Sequence, residues 1–215
     1  SMVKVCFGGT FDPVHLGHIG SAIALSELLS VPVTLLPNGR PSHRNKPAAS
    51  AQQRLDMLRL ACADKPQLLV DSREIERLGP SYTYDSVKSI RAEMDADEVL
   101  IWCLGADAFA QLHTWHKWRE LLQYTHLLVL QRPGSLEPKE VDLLAFWQQH
   151  QVNQPQQLMA SPKGAIATVR LPQFAVSATA IRQHFEQGTI PPEHMLPAEV
   201  VHYIMAQNLY NLETN

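Results

Sequence analysis

Phe7-Gly8-Gly9-Thr10-Phe11-Asp12-Pro13-Val14-His15-Leu16-Gly17-His18 is the stretch whose reading decides the fold. Before it, Val3, Val5, Cys6 and Phe7 make a short, nearly continuous apolar run, the pattern of a strand covered on both faces in a parallel sheet. After it, Ile19, Ala22, Ile23 and Leu28 recur close to helical spacing, with Glu27 left for solvent. The stretch therefore reads as a strand-to-helix turn. Gly8 and Gly9 lack a Cβ, so the main chain can approach a ligand closely, and phosphate is the ligand that most needs this. The first N–H groups of a helix lack internal partners and carry the positive end of its dipole, which an anion satisfies. Asp12-Pro13 fits the helix start, with Asp12 as cap and Pro13 at the first helical position. His15 and His18 are three apart and share a face, where two imidazoles can donate hydrogen bonds to phosphate oxygens that gain charge. The predicted chemistry is phosphoryl or nucleotidyl transfer.

Two plainer readings compete. A Gly-Gly turn can be only a turn, and His-x-x-His can be part of a zinc site. Zinc would want a third ligand and commonly a nearby acid, and no Glu stands between these histidines.

Gly8 to His18 resembles the histidine-bearing turn of the nucleotidyltransferase superfamily. Its His15-Leu16-Gly17-His18 is similar to the His-Ile-Gly-His of class I aminoacyl-tRNA synthetases. The form seen here is most similar to bacterial nicotinate mononucleotide adenylyltransferases. That resemblance implies ATP and nicotinate mononucleotide as substrates, Mg²⁺ entering with ATP, and no protein metal site. It also implies His15 and His18 as the catalytic pair and the main chain of Gly8, Gly9, Thr10 and Phe11 around the ATP phosphates.

Size and composition agree with an enzyme of this kind. A chain of 215 residues, 45% hydrophobic and 18% charged, is enough for one α/β domain over residues 1–215. A net charge of −3 shows no basic excess for nucleic acid, though a small anion can still find local positive charge. Cys6, Cys62 and Cys103 stand apart in apolar surroundings and read as reduced core residues of a cytoplasmic protein. No long apolar segment suggests a membrane span, and the start lacks a signal-peptide layout. Ser1 before Met2 is set aside as a cloning remnant.

Farther along, Val33 to Leu36 is a second strand, and the polar, basic stretch Asn38 to Ser50 is a loop leaving its C-terminal end, the ligand edge of a parallel sheet. Ser50 and Gln53 have the form of a capping box for a helix through Leu55, Leu58 and Ala61. Leu68 to Val70 is a third strand, and Thr83 a plausible N-cap for a helix to about Met94. Val99 to Leu104 leads straight into Gly105 and Asp107, which the same rule places at the ligand edge. Asp107 can hold a ribose hydroxyl, cap the next helix, or do both. Leu127 to Leu130 ends at Arg132, at that edge as well. Val141 to His150 is helical, and Pro138 to Pro162 is a peripheral excursion. Ile166 to Leu171 returns as a strand, and a helix follows with Ser177 or Thr179 as cap and Arg182 one turn in, offering a second set of free N–H groups for phosphate. Leu196 to Met205 is the last helix.

These stretches follow the family in order. Pro41-Ser42-His43-Arg44 resembles its Pro-x-His-(Lys/Arg) segment, and Val176 to Arg182 its Ile-Ser-(Ser/Ala)-Thr-x-Ile-Arg motif, which closes on ATP phosphates. By resemblance, Ser177, Thr179, Arg182, Gly105 and Asp107 belong to ATP. His43, Arg44, Thr83, Trp115, His116 and Arg132 belong to the mononucleotide, with Trp115 stacking on the pyridine ring. Strands alternating with helices throughout predict a doubly wound, Rossmann-like parallel sheet. The alternatives are another nucleotidyltransferase, such as a phosphopantetheine adenylyltransferase or a cytidylyltransferase, and a nucleotide-binding regulator without turnover.

Overall fold

The computed structural model describes residues 2–40 and 46–211. His43, Arg44 and the rest of the matched Pro41 to Arg44 segment lie outside the described residues, as does Ser1. Six strands, β1 (Val3–Gly9), β2 (Val33–Pro37), β3 (Leu68–Val70), β4 (Val99–Gly105), β5 (His126–Gln131) and β6 (Ile166–Arg170), form one parallel sheet in the order β3-β2-β1-β4-β5-β6. Between them run α1 (Leu16–Leu29), α2 (Ala51–Cys62), α3 (Arg73–Glu76), α4 (Thr83–Ala92), α5 (Ala106–Phe109) and α6 (Val141–His150); α7 (Ala178–Glu186) and α8 (Ala198–Gln207) follow β6.

Successive residues of each strand enter opposite cores. Val5, Leu35 and Ile101 pack on one face of the sheet, and Cys6, Leu36 and Trp102 on the other. That is why the strands read as continuous apolar runs rather than alternating ones. The chain winds outward from β1 to β3 on one side, then restarts at β4 on the other side of β1. At this reversal the helices leave to opposite faces, so a crevice opens beyond Gly8-Gly9 and Gly105.

Local signals are met unevenly. The Ser50–Gln53 capping box forms as expected: Gln53 N donates to Ser50 Oγ at 3.1 Å and Ser50 N to Gln53 Oε1 at 3.0 Å. Thr83 is not a cap; Tyr82 holds that position with no side-chain bond, and Thr83 is the first helical residue. Leu28 points outward, because the buried face of α1 is Ile19, Ala22, Leu25 and Leu29. The short α3 left no periodicity to read; Asp71 fixes its start by accepting from Arg73 N at 2.9 Å.

Asp12 differs most from expectation. Helix α1 begins at Leu16, with His15 as its cap, and Pro13 follows a cis peptide bond outside the helix. The Asp12 carboxylate instead accepts from Ala48 N at 2.8 Å, Ala49 N at 3.1 Å and the Tyr210 hydroxyl at 2.8 Å. Donors brought from distant parts of the chain hold it away from the local helix end.

Gly8 also serves a purpose the sequence did not reveal. A Cβ there would lie 2.6 Å from the Trp102 indole, which is buried against the strand. Gly8→Ala should therefore destabilise the protein by about 1–3 kcal/mol through overpacking. Urea unfolding would measure it, and an unchanged midpoint would mean the indole can shift freely.

Candidate active site

The crevice holds two adjoining lobes. The smaller, with a cavity volume of about 420 Å³, is lined by His15, Gly17, His18, Phe174, Ser177 and Ala178 among others. The larger, about 850 Å³, is lined by Gly8, Gly9, Thr10, Asn38, Thr83, Trp115 and His116 among others. His18, Gly105, Asp107 and Arg132 line both, so they mark the junction.

The two histidines are locked by a reciprocal cap. His15 Nδ1 accepts from Gly17 N at 3.0 Å and His18 N at 3.3 Å, while His18 Nδ1 accepts from His15 N at 3.1 Å. A ring nitrogen that accepts carries no proton, so each neutral ring bears its hydrogen on Nε2. The rings stack 3.6 Å apart, and the Phe11 ring meets His18 edge-on at 4.9 Å. Burial lowers the His15 pKa from the usual 6.5 to about 4. Burial, and then the neighbouring His15, hold His18 well below the ordinary histidine value. At neutral pH the pair is therefore two uncharged Nε2–H donors.

This cap changes the expected role of the α1 terminus. Leu16 N donates to Met195 O at 2.9 Å, and the next two N–H groups go to His15 Nδ1. The first turn of α1 is thus closed to a ligand by protein acceptors. The α7 terminus is open: Ser177 Oγ takes only Ala180 N, at 3.1 Å, and the N–H groups of Ala178 and Thr179 have no protein partner among the described residues. An anion in the smaller lobe would meet free main-chain donors at α7 and imidazole donors at α1.

The remaining sequence-derived residues fall into place unevenly. Gly8, Gly9 and Thr10 line the larger lobe, beside Thr83, Trp115 and His116, and not the lobe that reaches α7. Phe11 is buried and lines neither. Thr179 and Arg182 also line neither; Arg182 Nη1 donates to Asp12 O at 2.7 Å and Nη2 to Thr179 Oγ1 at 3.3 Å, bracing the back of the turn. Asp107 lies inside α5 with Gly105 as the cap, so its capping role is not realised. It pairs instead with Arg132 at 3.3 Å and accepts from Leu136 N at 3.0 Å. That ion pair is exposed and adds little stability. Its position at the junction of the lobes is the informative part.

Several lining residues were not assigned to a substrate from the sequence, and Asn38, Tyr82 and Phe174 are the informative ones. Asn38 opens the loop that the strand-end rule placed at this edge, although its side chain was not singled out there; its Oδ1 is buried without a partner among the described residues. Tyr82 stacks on His116 at 4.3 Å in the wall of the larger lobe. Phe174 lies against α1, where a Cβ at Gly20 would collide with its ring, and no local pattern announces that contact. Among the described residues no group of three His, Cys, Asp or Glu could hold a metal ion. No described helix is long and apolar enough to cross a membrane.

A family model described as cytidylyltransferase-like matches residues 6–184. A protein of Serratia proteamaculans is 43% identical over 212 residues, which is 98% of this chain and 96% of that one. Another, of Pseudomonas putida, is 45% identical over 205 residues, 94% of this chain and 92% of its own. Both carry the name "Probable nicotinate-nucleotide adenylyltransferase". The chain belongs to the nicotinate-nucleotide adenylyltransferase family. Among solved structures, the Plasmodium falciparum nicotinic acid mononucleotide adenylyltransferase complexed with NaAD is similar in fold, with a TM-score of 0.69 at 14% identity over 98% of each chain. The nucleotidyltransferase fold read from the sequence is the fold observed.

The histidine cap carries a direct test. Because folding lowers both histidine pKa values, the unfolded chain binds more protons between the usual 6.5 and about 4, and stability falls as pH drops through that window. Nitrogen-15 NMR of labelled histidine at neutral pH should show His15 and His18 as Nε2–H tautomers. His15 should stay unprotonated until pH approaches about 4. A protonated Nδ1 on either ring at neutral pH would contradict the assignment.

Proposed function

We propose that the protein joins ATP and nicotinate mononucleotide to give nicotinate adenine dinucleotide and pyrophosphate, a step in NAD synthesis. The observation that carries this reading is the pair of lobes meeting at His18, in a chain 43% identical along nearly its whole length to a relative with that name. The smaller lobe, with the open α7 terminus, takes ATP and its phosphates. The larger lobe, with Trp115, Thr83 and His116, takes the mononucleotide.

The mononucleotide phosphate is itself the nucleophile. It attacks the α-phosphorus of ATP, a P–O bond forms, and the bond to the β-phosphate breaks to release pyrophosphate. No side-chain nucleophile is needed, so the residues act by alignment and charge neutralisation. His18, at the junction, donates from Nε2 to the reacting phosphate, and His15 keeps that ring in the required tautomer while facing the ATP lobe. Arg132 is placed to neutralise phosphate charge in exchange for its Asp107 partner. His43 and Arg44 are assigned to the mononucleotide phosphate by family resemblance.

Mg²⁺ fits as a passenger on ATP. Asp107, the one carboxylate among the described residues that lines both lobes, suits an ion held mainly by phosphate and water. The metal would supply further neutralisation of the triphosphate. The three cysteines are free and buried, which suits a reducing compartment such as the cytoplasm.

Pyrophosphate release measured with ATP and Mg²⁺ should be strong with nicotinate mononucleotide and weak with nicotinamide mononucleotide or phosphopantetheine. Silence with nicotinate mononucleotide would overturn the reading. His18→Ala should lower kcat by about 100-fold or more while the KM for ATP moves little, since the donor acts on charge that develops in the transition state. Chelation of Mg²⁺ should abolish turnover, and full activity in excess EDTA would remove the metal from the scheme.

A further inference from the structure

Arg54 lies on α2, is 1% exposed and lines neither lobe. Among the described residues its guanidinium donates to main-chain carbonyls alone. Nη1 reaches Thr10 O at 2.8 Å and Asn38 O at 2.7 Å, Nη2 reaches Gly39 O at 3.1 Å, and Nε reaches Ala49 O at 3.4 Å. Among the described residues no carboxylate comes within ion-pair distance of it. A buried cation without a direct counter-ion is costly, so its position calls for a compensating gain.

The carbonyls it gathers say what that gain is. β1 and β2 run side by side to Gly9 and Pro37, and the last bond between them is Asn38 N to Gly9 O at 2.9 Å. Beyond that point the two strands part. A single nitrogen of Arg54 then collects one carbonyl from each, and a second tie crosses the same gap from Asn38 Nδ2 to Thr10 Oγ1 at 3.3 Å. Thr10 and Asn38 both line the larger lobe, and neither lines the smaller.

We propose that Arg54 is a positioning residue for the larger lobe: by suturing the ends of β1 and β2 it fixes Thr10 and Asn38 against each other in the geometry that binds the mononucleotide. The inference rests on the assignment of the mononucleotide to that lobe. It goes beyond that assignment in naming a residue that touches no substrate and yet sets the affinity for only one of two.

The test is a comparison of substrates. Arg54→Lys keeps the charge but replaces a planar fork with a point donor that cannot span the same carbonyls. It should raise the KM for nicotinate mononucleotide about tenfold, with the KM for ATP and kcat changed by less than about twofold. Thr10→Val removes the other tie across the gap and should shift the same constant in the same direction. Arg54→Met should exceed the lysine variant if it folds; thermal melting of each variant and titration calorimetry with nicotinate mononucleotide alone separate lost affinity from lost protein. Equal rises in both KM values, a fall in kcat alone, or unchanged constants would overturn the proposal. A wild-type protein inactive with nicotinate mononucleotide would instead bring down the functional reading on which it rests.

Discussion

The reciprocal hydrogen bonds between His15 and His18 are the interaction on which the site depends. They end the turn, start the helix, stack the two rings and fix both tautomers at once. An aspartate cap would have brought a negative charge to the place where the proposed reaction brings phosphates together, and that repulsion would oppose it. A neutral imidazole accepts the same N–H groups without the charge. The cap thus also sets the state of the two rings that the proposed reaction would use, and burial of the rings supports it by disfavouring the protonated form that could no longer accept.

With α1 closed, free main-chain donors come from the other side of the crevice, at α7. Arg182 links these two halves from behind by gripping the Asp12 carbonyl, so the terminus of α7 and the β1 turn are held at a fixed separation. Sheet topology does the rest. The reversal at β1 and β4 opens the crevice, and Gly105, Asp107 and Arg132 leave neighbouring strands at its centre. With the two lobes meeting at His18, the proposed pair of anionic substrates would approach a single point from opposite directions.

Much of this was legible in the chain. Continuous apolar runs followed by Gly, Asp or Arg at the strand ends give the parallel sheet and its binding edge, because strand burial and strand polarity are local properties. The Ser50–Gln53 box was equally readable, since both of its bonds join residues three apart. What was not legible depends on distance along the chain. Asp12 looks like a cap until Ala48, Ala49 and Tyr210 are brought to it; Gly8 looks like ligand clearance until Trp102 is laid over it. Arg54 carries no motif at all, and its partners are carbonyls, which no side-chain pattern can announce. The division of the glycine turn and the α7 terminus between different lobes is likewise a result of packing, since the family motifs name residues but not the space between them.

The bond from the Tyr210 hydroxyl to Asp12 joins residues 198 positions apart. On a ribosome the turn that carries the histidines emerges well before the side chain that completes its support, since Tyr210 is added 198 residues after Asp12. The nascent chain can assemble the sheet as strands arrive, but the carboxylate beneath the histidine turn waits for its hydroxyl partner until β6 and α8 have both been made. The support of the candidate site is in this sense completed long after its most recognisable residues have appeared.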